Sequence, residues 1–224
     1  MREGVPARYE GRVSDLPHRT RPGRVLLVRH GESEGNRLRQ FSRDNDIDLT
    51  ERGVAQARAA GAEIRERFAP TRMIASPYHR TRRTAGLIAE TLGHSSPIEI
   101  EPALREREIG ELAGAPYEAM RAHPEYRAEL FWQWRPLGGE SLEDVAGRAA
   151  PVLEAIQAAG GETVVVSHGG VMLALRAHVE GGWGESKVSG NCEILVVEMD
   201  VSGRLRIRSL AEHDDGPPGG EATG

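Results

Sequence analysis

The sequence predicts a three-layer α/β/α protein, in which a mostly parallel, doubly wound sheet with an antiparallel edge strand lies between two layers of helices. Short apolar runs alternate with amphipathic helical patterns along the chain. Runs this apolar are typical of strands that helices cover on both faces. A length of 224 residues with 38% hydrophobic content is enough for one domain with a sizeable core.

Five runs are predicted to be the buried strands of the sheet, because they are short and rich in apolar and β-branched residues. They cover residues 25–28, 73–75, 98–100, 163–166 and 194–197. A sixth segment, residues 204–210, alternates between apolar and polar positions, which favours a strand at the sheet edge.

Two longer helices are predicted between the strands. Thr50 has the side chain of an N-cap, and apolar positions then recur at steps of three and four as far as Phe68. Ser141 and Asp144 stand at capping-box spacing, and a similar apolar stripe continues to Ile156. We expect both stripes to pack on the sheet.

The folded domain is predicted to span residues 24–210. Residues 1–23 form a polar N-terminal extension without the apolar run of a signal peptide. Residues 211–224 are rich in Gly, Pro and acidic residues, so they bury too little apolar surface to offset the entropy of ordering. They are predicted to form a disordered tail.

Composition excludes several classes of function. The 29 basic and 34 acidic residues give a net charge of −5, which argues against a nucleic-acid partner. No apolar stretch is long enough to cross a bilayer, and Cys192 is the one cysteine, so we expect a cytoplasmic protein without membrane contact or disulfides. Lys187 is the one lysine and lies outside any Gly-rich P-loop, which argues against catalysis by lysine.

Two histidines follow predicted strands, His30 after the first and His168 after the fourth, and each precedes a glycine. Ligands of doubly wound sheets bind at the carboxyl ends of strands, so both imidazoles are expected at one site. A single such histidine is more often a hydrogen-bonded structural residue, but a matching pair favours function. A zinc site is the alternative. It is disfavoured because the chain has no closely spaced pair of histidine ligands, so no metal is expected.

Arg29 and Arg80 also follow strand ends. Arginines beside a neutral imidazole raise the cost of protonating it, which favours its use as a nucleophile. Their guanidinium groups also match the oxygens of a phosphoryl group. Phosphoryl transfer needs positioning and charge neutralisation most of all, and two arginines with a second imidazole supply them without magnesium. These residues therefore predict phosphoryl transfer.

The first motif reads Arg29-His30-Gly31-Glu32, with Asn36 six residues beyond the histidine. It resembles the signature of the histidine phosphatase superfamily, also called phosphoglycerate mutase-like. Further segments are similar to the family in the same order, namely residues 49–53, 76–81, 104–106, 138–141, 166–170 and 191–192. The resemblance implies the phosphoglycerate mutase-like fold, an active-site insertion at about residues 107–137, and no cofactor.

The resemblance implies two residues that carry the reaction. His30 becomes phosphorylated. Glu106 donates a proton to the leaving group and later activates water, because an alkoxide leaves poorly unless it is protonated. The alternating charges of residues 105–108 are also typical of a solvated face, so Glu108 stays open as the acid, with Glu106 favoured by the family's spacing.

The resemblance also implies a phosphate-binding set. Arg29, Arg80 and His168 bind the phosphoryl oxygens and complete the catalytic group. Asn36 faces the same pocket, and Gly169 contributes a backbone N–H. A small phosphorylated molecule is therefore the expected substrate.

The short insertion after the acid and the wording of the motifs are similar to the phosphatase branch of the family. We therefore expect a metal-independent phosphomonoesterase. A cofactor-dependent phosphoglycerate mutase and a phosphoprotein-binding regulatory member stay open as alternatives, and so does a homodimer. Aromatic residues of the insertion either wall a pocket or anchor the insertion to the domain: Tyr117, Tyr126, Phe131, Trp132 and Trp134.

Overall fold

One six-stranded sheet forms the centre of the molecule. The computed structural model describes residues 23–43, 45–184 and 187–211. The strands are β1 (Arg24–Arg29), β2 (Arg72–Ala75), β3 (Glu99–Ile100), β4 (Glu162–Ser167), β5 (Ile194–Met199) and β6 (Leu205–Ser209), in the order β3-β2-β4-β1-β5-β6. All six predicted strands are present. The predictions for residues 1–22 and 212–224 lie outside the described residues.

The four strands from β3 to β1 are parallel. β5 runs antiparallel to both β1 and β6, so the sheet is mixed on one side. The predicted edge strand, β6, does lie at the edge and pairs antiparallel with its neighbour. The strand whose direction is reversed is β5, one position further in.

The helices are α1 (Glu34–Arg37), α2 (Glu51–Arg67), α3 (His79–Leu92), α4 (Glu118–Ala122), α5 (Leu142–Ala159) and α6 (Gly169–Glu180). α2 packs against α3 on one face of the sheet, and α5 packs against α6 on the other. Alternate residues of β1 enter the two cores, Leu26 on the α2–α3 side and Leu27 on the α5–α6 side. Both are buried, which confirms the three predicted layers.

The caps of the long helices follow the sequence prediction. The Thr50 hydroxyl accepts the Gly53 N–H at the start of α2. Ser141 and Asp144 form the reciprocal bonds of a capping box at the start of α5. These caps fix where each apolar stripe meets the sheet.

The prediction that residues 98–100 form a buried strand is wrong in its burial. β3 contains two residues, and both Glu99 and Ile100 are exposed. β3 is the edge strand next to β2, so one of its sides has no neighbouring strand. Within the described residues, no helix is both long enough and apolar enough to cross a membrane.

Candidate active site

The sheet brings three strand ends together at one place. β4 lies between β1 and β2, and Arg29 is paired in register with Ser167. The His30 N–H donates to the Ser167 carbonyl at 3.0 Å, and the Ser76 N–H donates to the Val166 carbonyl at 3.0 Å. The residues after all three strands therefore meet, as the strand-end argument predicts.

His30 is buried and held in one tautomer. Its Nδ1 lies 2.7 Å from the Gly31 carbonyl oxygen, which can only accept, so Nδ1 carries the proton. Nε2 is then the atom with a lone pair, and the Arg80 Nε–H donates to it at 3.2 Å. The ring nitrogen required of a nucleophile therefore faces a guanidinium group.

His168 is fully buried on the other side of Arg80. The Arg80 Nη2 group donates to its Nδ1 at 3.2 Å, so the ring's proton is on Nε2. That Nε2–H donates to the Ser76 hydroxyl oxygen at 2.7 Å. The centroids of the two imidazoles are 5.3 Å apart, and Arg80 bridges them.

Both imidazoles are held neutral. Burial lowers the pKa of His30 well below its ordinary value, and the charges of Arg80 and Arg29 lower it further, against the opposing hydrogen bond to Gly31. Burial and Arg80 likewise lower the pKa of His168 well below its ordinary value. A neutral His30 keeps its lone pair, which is the form of an imidazole that can act as a nucleophile.

Two arginine donors at this place have no acceptor within the described part of the chain. Arg29 Nη1 donates to the Ser189 carbonyl at 2.6 Å, but among the described residues no acceptor meets Arg29 Nε or Arg80 Nη1, although both atoms are buried. Gly169 lies beside the first of these donors, since a Cβ there would stand 3.4 Å from Arg29 Nε. Its N–H begins α6, where the helix itself offers no acceptor. Such unpaired donors favour an anion.

The structure separates the two candidate acids. Glu106 Oε1 accepts the Arg107 N–H at 2.8 Å, and Oε2 accepts the Gly170 N–H at 3.3 Å in the first turn of α6. A Cβ on Gly170 would stand 2.5 Å from Oε1, so a side chain there would displace the carboxylate from this position. Glu108 instead accepts the Tyr78 hydroxyl at 3.3 Å. Glu106 therefore lies beside Gly170, two residues after His168, whereas Glu108 lies beside Tyr78.

Tyr78 covers the guanidinium group of Arg80, a role that the sequence motifs do not indicate. Its ring lies 5.0 Å from the Arg80 Cζ and meets His168 edge-on, with centroids 5.1 Å apart. Burial and the neighbouring Glu108 carboxylate raise the pKa of the Tyr78 phenol to about 12. Tyr78 is therefore a neutral wall of the site.

Asn36 lies at the side of the site in a network of side-chain amides. Its Oδ1 accepts the Asn191 Nδ2–H at 3.1 Å, and Asn191 also donates to the His30 carbonyl at 3.0 Å. Asn36 Nδ2 donates to the Tyr117 hydroxyl at 3.0 Å. Asn191 was noticed only as part of a motif, because its contact with His30 joins residues distant in the chain.

The aromatic residues of the segment after Glu106 divide between the two interpretations. Tyr117 reaches the site through Asn36. Trp134 is buried and packs against Tyr126, while Trp132 stacks on Trp183 with ring planes 2° apart. One aromatic side chain thus borders the site, Trp134 packs within the segment itself, and the stack of Trp132 on Trp183 anchors the segment to the residues after α6.

The fold, together with the cluster of His30, His168, Arg29 and Arg80, defines a histidine-centred family of phosphoryl-transfer proteins. The family model of the histidine phosphatase superfamily (branch 1) matches residues 25–212. The chain belongs to this superfamily, and the resemblance stated from its motifs is confirmed.

The individual relatives include both a mutase and a phosphatase. A 2,3-bisphosphoglycerate-dependent phosphoglycerate mutase of Methylobacterium radiotolerans is 39% identical over 168 residues, covering 70% of this chain and 79% of the mutase. The structure of a mycobacterial glucosyl-3-phosphoglycerate phosphatase with VO3 matches with a TM-score of 0.71 at 27% identity, covering 84% of this chain and 97% of that chain. A second structure, Mycobacterial hydrolase 1, matches with a TM-score of 0.73 at 29% identity and the same coverage.

Proposed function

We propose that this protein is a metal-independent phosphomonoesterase that acts through a phosphohistidine on His30, with Glu106 as general acid and base. The observation that carries the proposal is the pair of buried donors, Arg29 Nε and Arg80 Nη1, beside a neutral imidazole whose Nε2 holds the lone pair. The two arginines supply the positive charge that a phosphoryl group needs as it transfers. The expected substrate is a small phosphate monoester.

In the first step the His30 Nε2 lone pair attacks phosphorus, and the bond from phosphorus to the ester oxygen breaks. Arg80 first turns its Nε–H away from His30 Nε2 toward the phosphoryl oxygens. This turn is needed because the His30 lone pair cannot accept the Arg80 hydrogen bond and bond to phosphorus at the same time. Glu106, in its protonated form, gives its proton to the departing oxygen. The products of this step are an alcohol and a phosphohistidine.

In the second step Glu106, now a carboxylate, takes a proton from water. The water oxygen attacks phosphorus, and the P–N bond to His30 breaks. Inorganic phosphate leaves, and both residues return to their starting protonation states. His168, which donates its Nε2–H to Ser76, orients its Nδ1 toward Arg80 and so helps to fix the guanidinium.

Phosphoglycerate mutase activity is the second candidate. Identity of 39% to a protein of that name is the observation that favours it. A mutase returns the phosphoryl group to a second hydroxyl of the substrate, whereas a phosphatase gives it to water. Incubating the protein with 3-phosphoglycerate and 2,3-bisphosphoglycerate separates the two: inorganic phosphate as the main product supports the phosphatase, and conversion to 2-phosphoglycerate without phosphate release supports the mutase.

The first test of the proposal is hydrolysis of p-nitrophenyl phosphate in excess EDTA. The wild type is expected to be active, and His30→Ala to lose activity to background. His178→Ala is the matched control, because this histidine lies on α6 and contacts Glu154. Activity that appears only after divalent metal is added contradicts the metal-independent mechanism. Phosphopeptide binding without hydrolysis favours the regulatory alternative.

The second test assigns the acid. Glu106→Gln is expected to reduce kcat/KM for an alkyl phosphate about a hundredfold more than for p-nitrophenyl phosphate, whose leaving group needs little protonation. The ratio kcat/KM is the correct measure because it reports the step in which the leaving group departs. Glu108→Gln is the control and should leave the two esters equally affected. The reverse pattern would assign the proton to Glu108.

A further inference from the structure

We propose that Arg148 and Glu140 together position Glu106, so that Arg148 is a positioning residue for proton transfer to the leaving group. The inference rests on the proposed phosphatase function. It concerns Arg148 on α5 and Glu140, which lies two residues before the start of that helix; neither contacts His30.

Arg148 is bound to the backbone of the segment that carries the acid. Its side chain is 14% exposed. Nη1 donates to the carbonyls of Ala103 at 2.6 Å and Arg105 at 2.9 Å, and Nη2 donates to the carbonyl of Glu106 at 3.2 Å. One guanidinium group therefore holds three carbonyl oxygens within four consecutive residues.

Glu140 fixes the orientation of that guanidinium. Arg148 Nε donates to Glu140 Oε1 at 3.0 Å and Nη2 donates to Oε2 at 2.9 Å, the paired geometry of a bidentate bond. Oε2 also accepts the Glu108 N–H at 3.1 Å. Burial raises the pKa of Glu140, but the bond from Arg148, the Glu108 N–H and the charges of Arg148 and Arg105 together outweigh burial. They hold this pKa below its ordinary value, so the carboxylate stays charged. The pair thus binds the backbone on both sides of Glu106, at Arg105 before it and at Glu108 after it.

A third contact ties the segment to the sheet. The Ser167 hydroxyl at the end of β4 donates to the Leu104 carbonyl at 2.8 Å, and Leu104 is buried. Since His168 is the next residue after Ser167, the segment has a fixed position relative to the imidazoles. Arg148 also binds the backbone carbonyl of Glu106 itself, the residue whose carboxylate must reach the leaving oxygen.

Arg148 contacts the carbonyl of Glu106, whereas the Glu106 carboxylate is held by the N–H groups of Arg107 and Gly170. Removal of Arg148 leaves the carboxylate chemistry intact and lets the backbone shift. A displacement of about 1 Å at a reacting group costs about a hundredfold in rate. The loss of kcat/KM should appear for an ester whose leaving group needs a proton, and not for an ester whose leaving group departs without one.

The experiment compares Arg148→Met with Arg135→Met. Arg135 also pairs with a carboxylate on α5, Asp144 at 2.7 Å, but it does not bind residues 103–108. In Arg148→Met, kcat/KM is expected to fall about a hundredfold for glycerol 2-phosphate and less than about threefold for p-nitrophenyl phosphate. The control should change neither. Equal losses on both esters indicate a structural role only and overturn the proposal.

Two further measurements keep the proposal testable if Arg148→Met folds poorly or if the wild type is inactive on both esters. Glu140→Gln keeps the size of the side chain and Arg148 itself, and is expected to show the same selective loss in smaller measure. Amide hydrogen exchange at residues 103–108 should rise in Arg148→Met and stay unchanged in Arg135→Met, which requires no activity. A wild type inactive on both esters overturns the proposed function alone. Unchanged exchange in Arg148→Met overturns the positioning role whatever the activity.

Discussion

Replacing Arg80 with Gln tests whether the bridge between the two imidazoles is an anion site. Arg80 places Nε on His30 and Nη2 on His168, and its buried Nη1 has no protein acceptor among the described residues. Gln has a similar stem but no charge and no planar fork. Inorganic phosphate or vanadate is expected to bind the wild type and to bind Arg80→Gln much more weakly.

The magnitude follows from the number of charge-assisted bonds that are lost. Each hydrogen bond to a charged group contributes about 1.5–3 kcal/mol, so loss of one weakens binding at least about tenfold, and loss of two about a hundredfold. At a ligand concentration of about one hundred times its wild-type Kd, the wild type gains about 2.7 kcal/mol of stability. A hundredfold weaker variant gains about 0.4 kcal/mol. For a domain of this size, these gains correspond to rises in Tm of about 5–11 °C and about 1–2 °C.

The assay is thermal unfolding across a phosphate or vanadate titration, with the rise in Tm measured for each variant against its own value without ligand. Arg82→Gln is the matched control, because Arg82 is an exposed arginine on the same helix. The control should keep the full rise. A rise in Arg80→Gln equal to that of the wild type refutes the assignment of Arg80 to the anion.

Two predictions concern stability. Gly53→Ala is expected to destabilise the fold by about 2–3 kcal/mol, because its Cβ would stand 2.1 Å from the Glu32 carbonyl oxygen, whereas Gly86→Ala, with open space inside α3, should stabilise it by about 0.5–1 kcal/mol. Urea denaturation measures both, and equal effects at the two glycines contradict the steric argument. Since the folded-state pKa values of His30 and His168 lie below the ordinary value of 6.5, the unfolded chain binds more protons as the pH falls below 6.5. The free energy of unfolding should therefore fall by up to about 1.4 kcal/mol per pH unit for each histidine, until the folded-state pKa is reached. His168→Asn should reduce this slope in urea denaturation between about pH 7 and about pH 5.5, and an unchanged slope contradicts the assignment.

Much of the fold could be predicted because its signals are local. The runs that became β1 and β4 are continuous and apolar, and both are buried at the centre of the sheet. The caps at Thr50 and Ser141 depend on side chains within three residues. The exposure of Glu99 and Ile100 was not predictable from composition, because whether a strand lies at the edge depends on the order of strands in the sheet.

The site divides in the same way. The motifs located His30, Arg80, His168 and Glu106, because each lies next to a strand end or at a fixed spacing. The contacts of Asn191 with His30 and of Arg148 with the Glu106 carbonyl join residues that are far apart in the chain. A weak signal for Arg148 does exist in the sequence. Arg148 follows Val145 by three residues, which places it next to the core-facing stripe of α5, where a half-buried charge requires a partner.

The central position of β1 in the sheet determines when the site around His30 can form during synthesis. β1 is the first strand of the domain to leave the ribosome, yet both of its neighbours, β4 and β5, come from the last third of the chain. The surroundings of His30 are therefore complete only after almost the whole domain has been translated. Pairings this distant in sequence form slowly. An incomplete chain that ends before β4 would carry His30 without His168, so Arg80 could not yet bridge the two imidazoles.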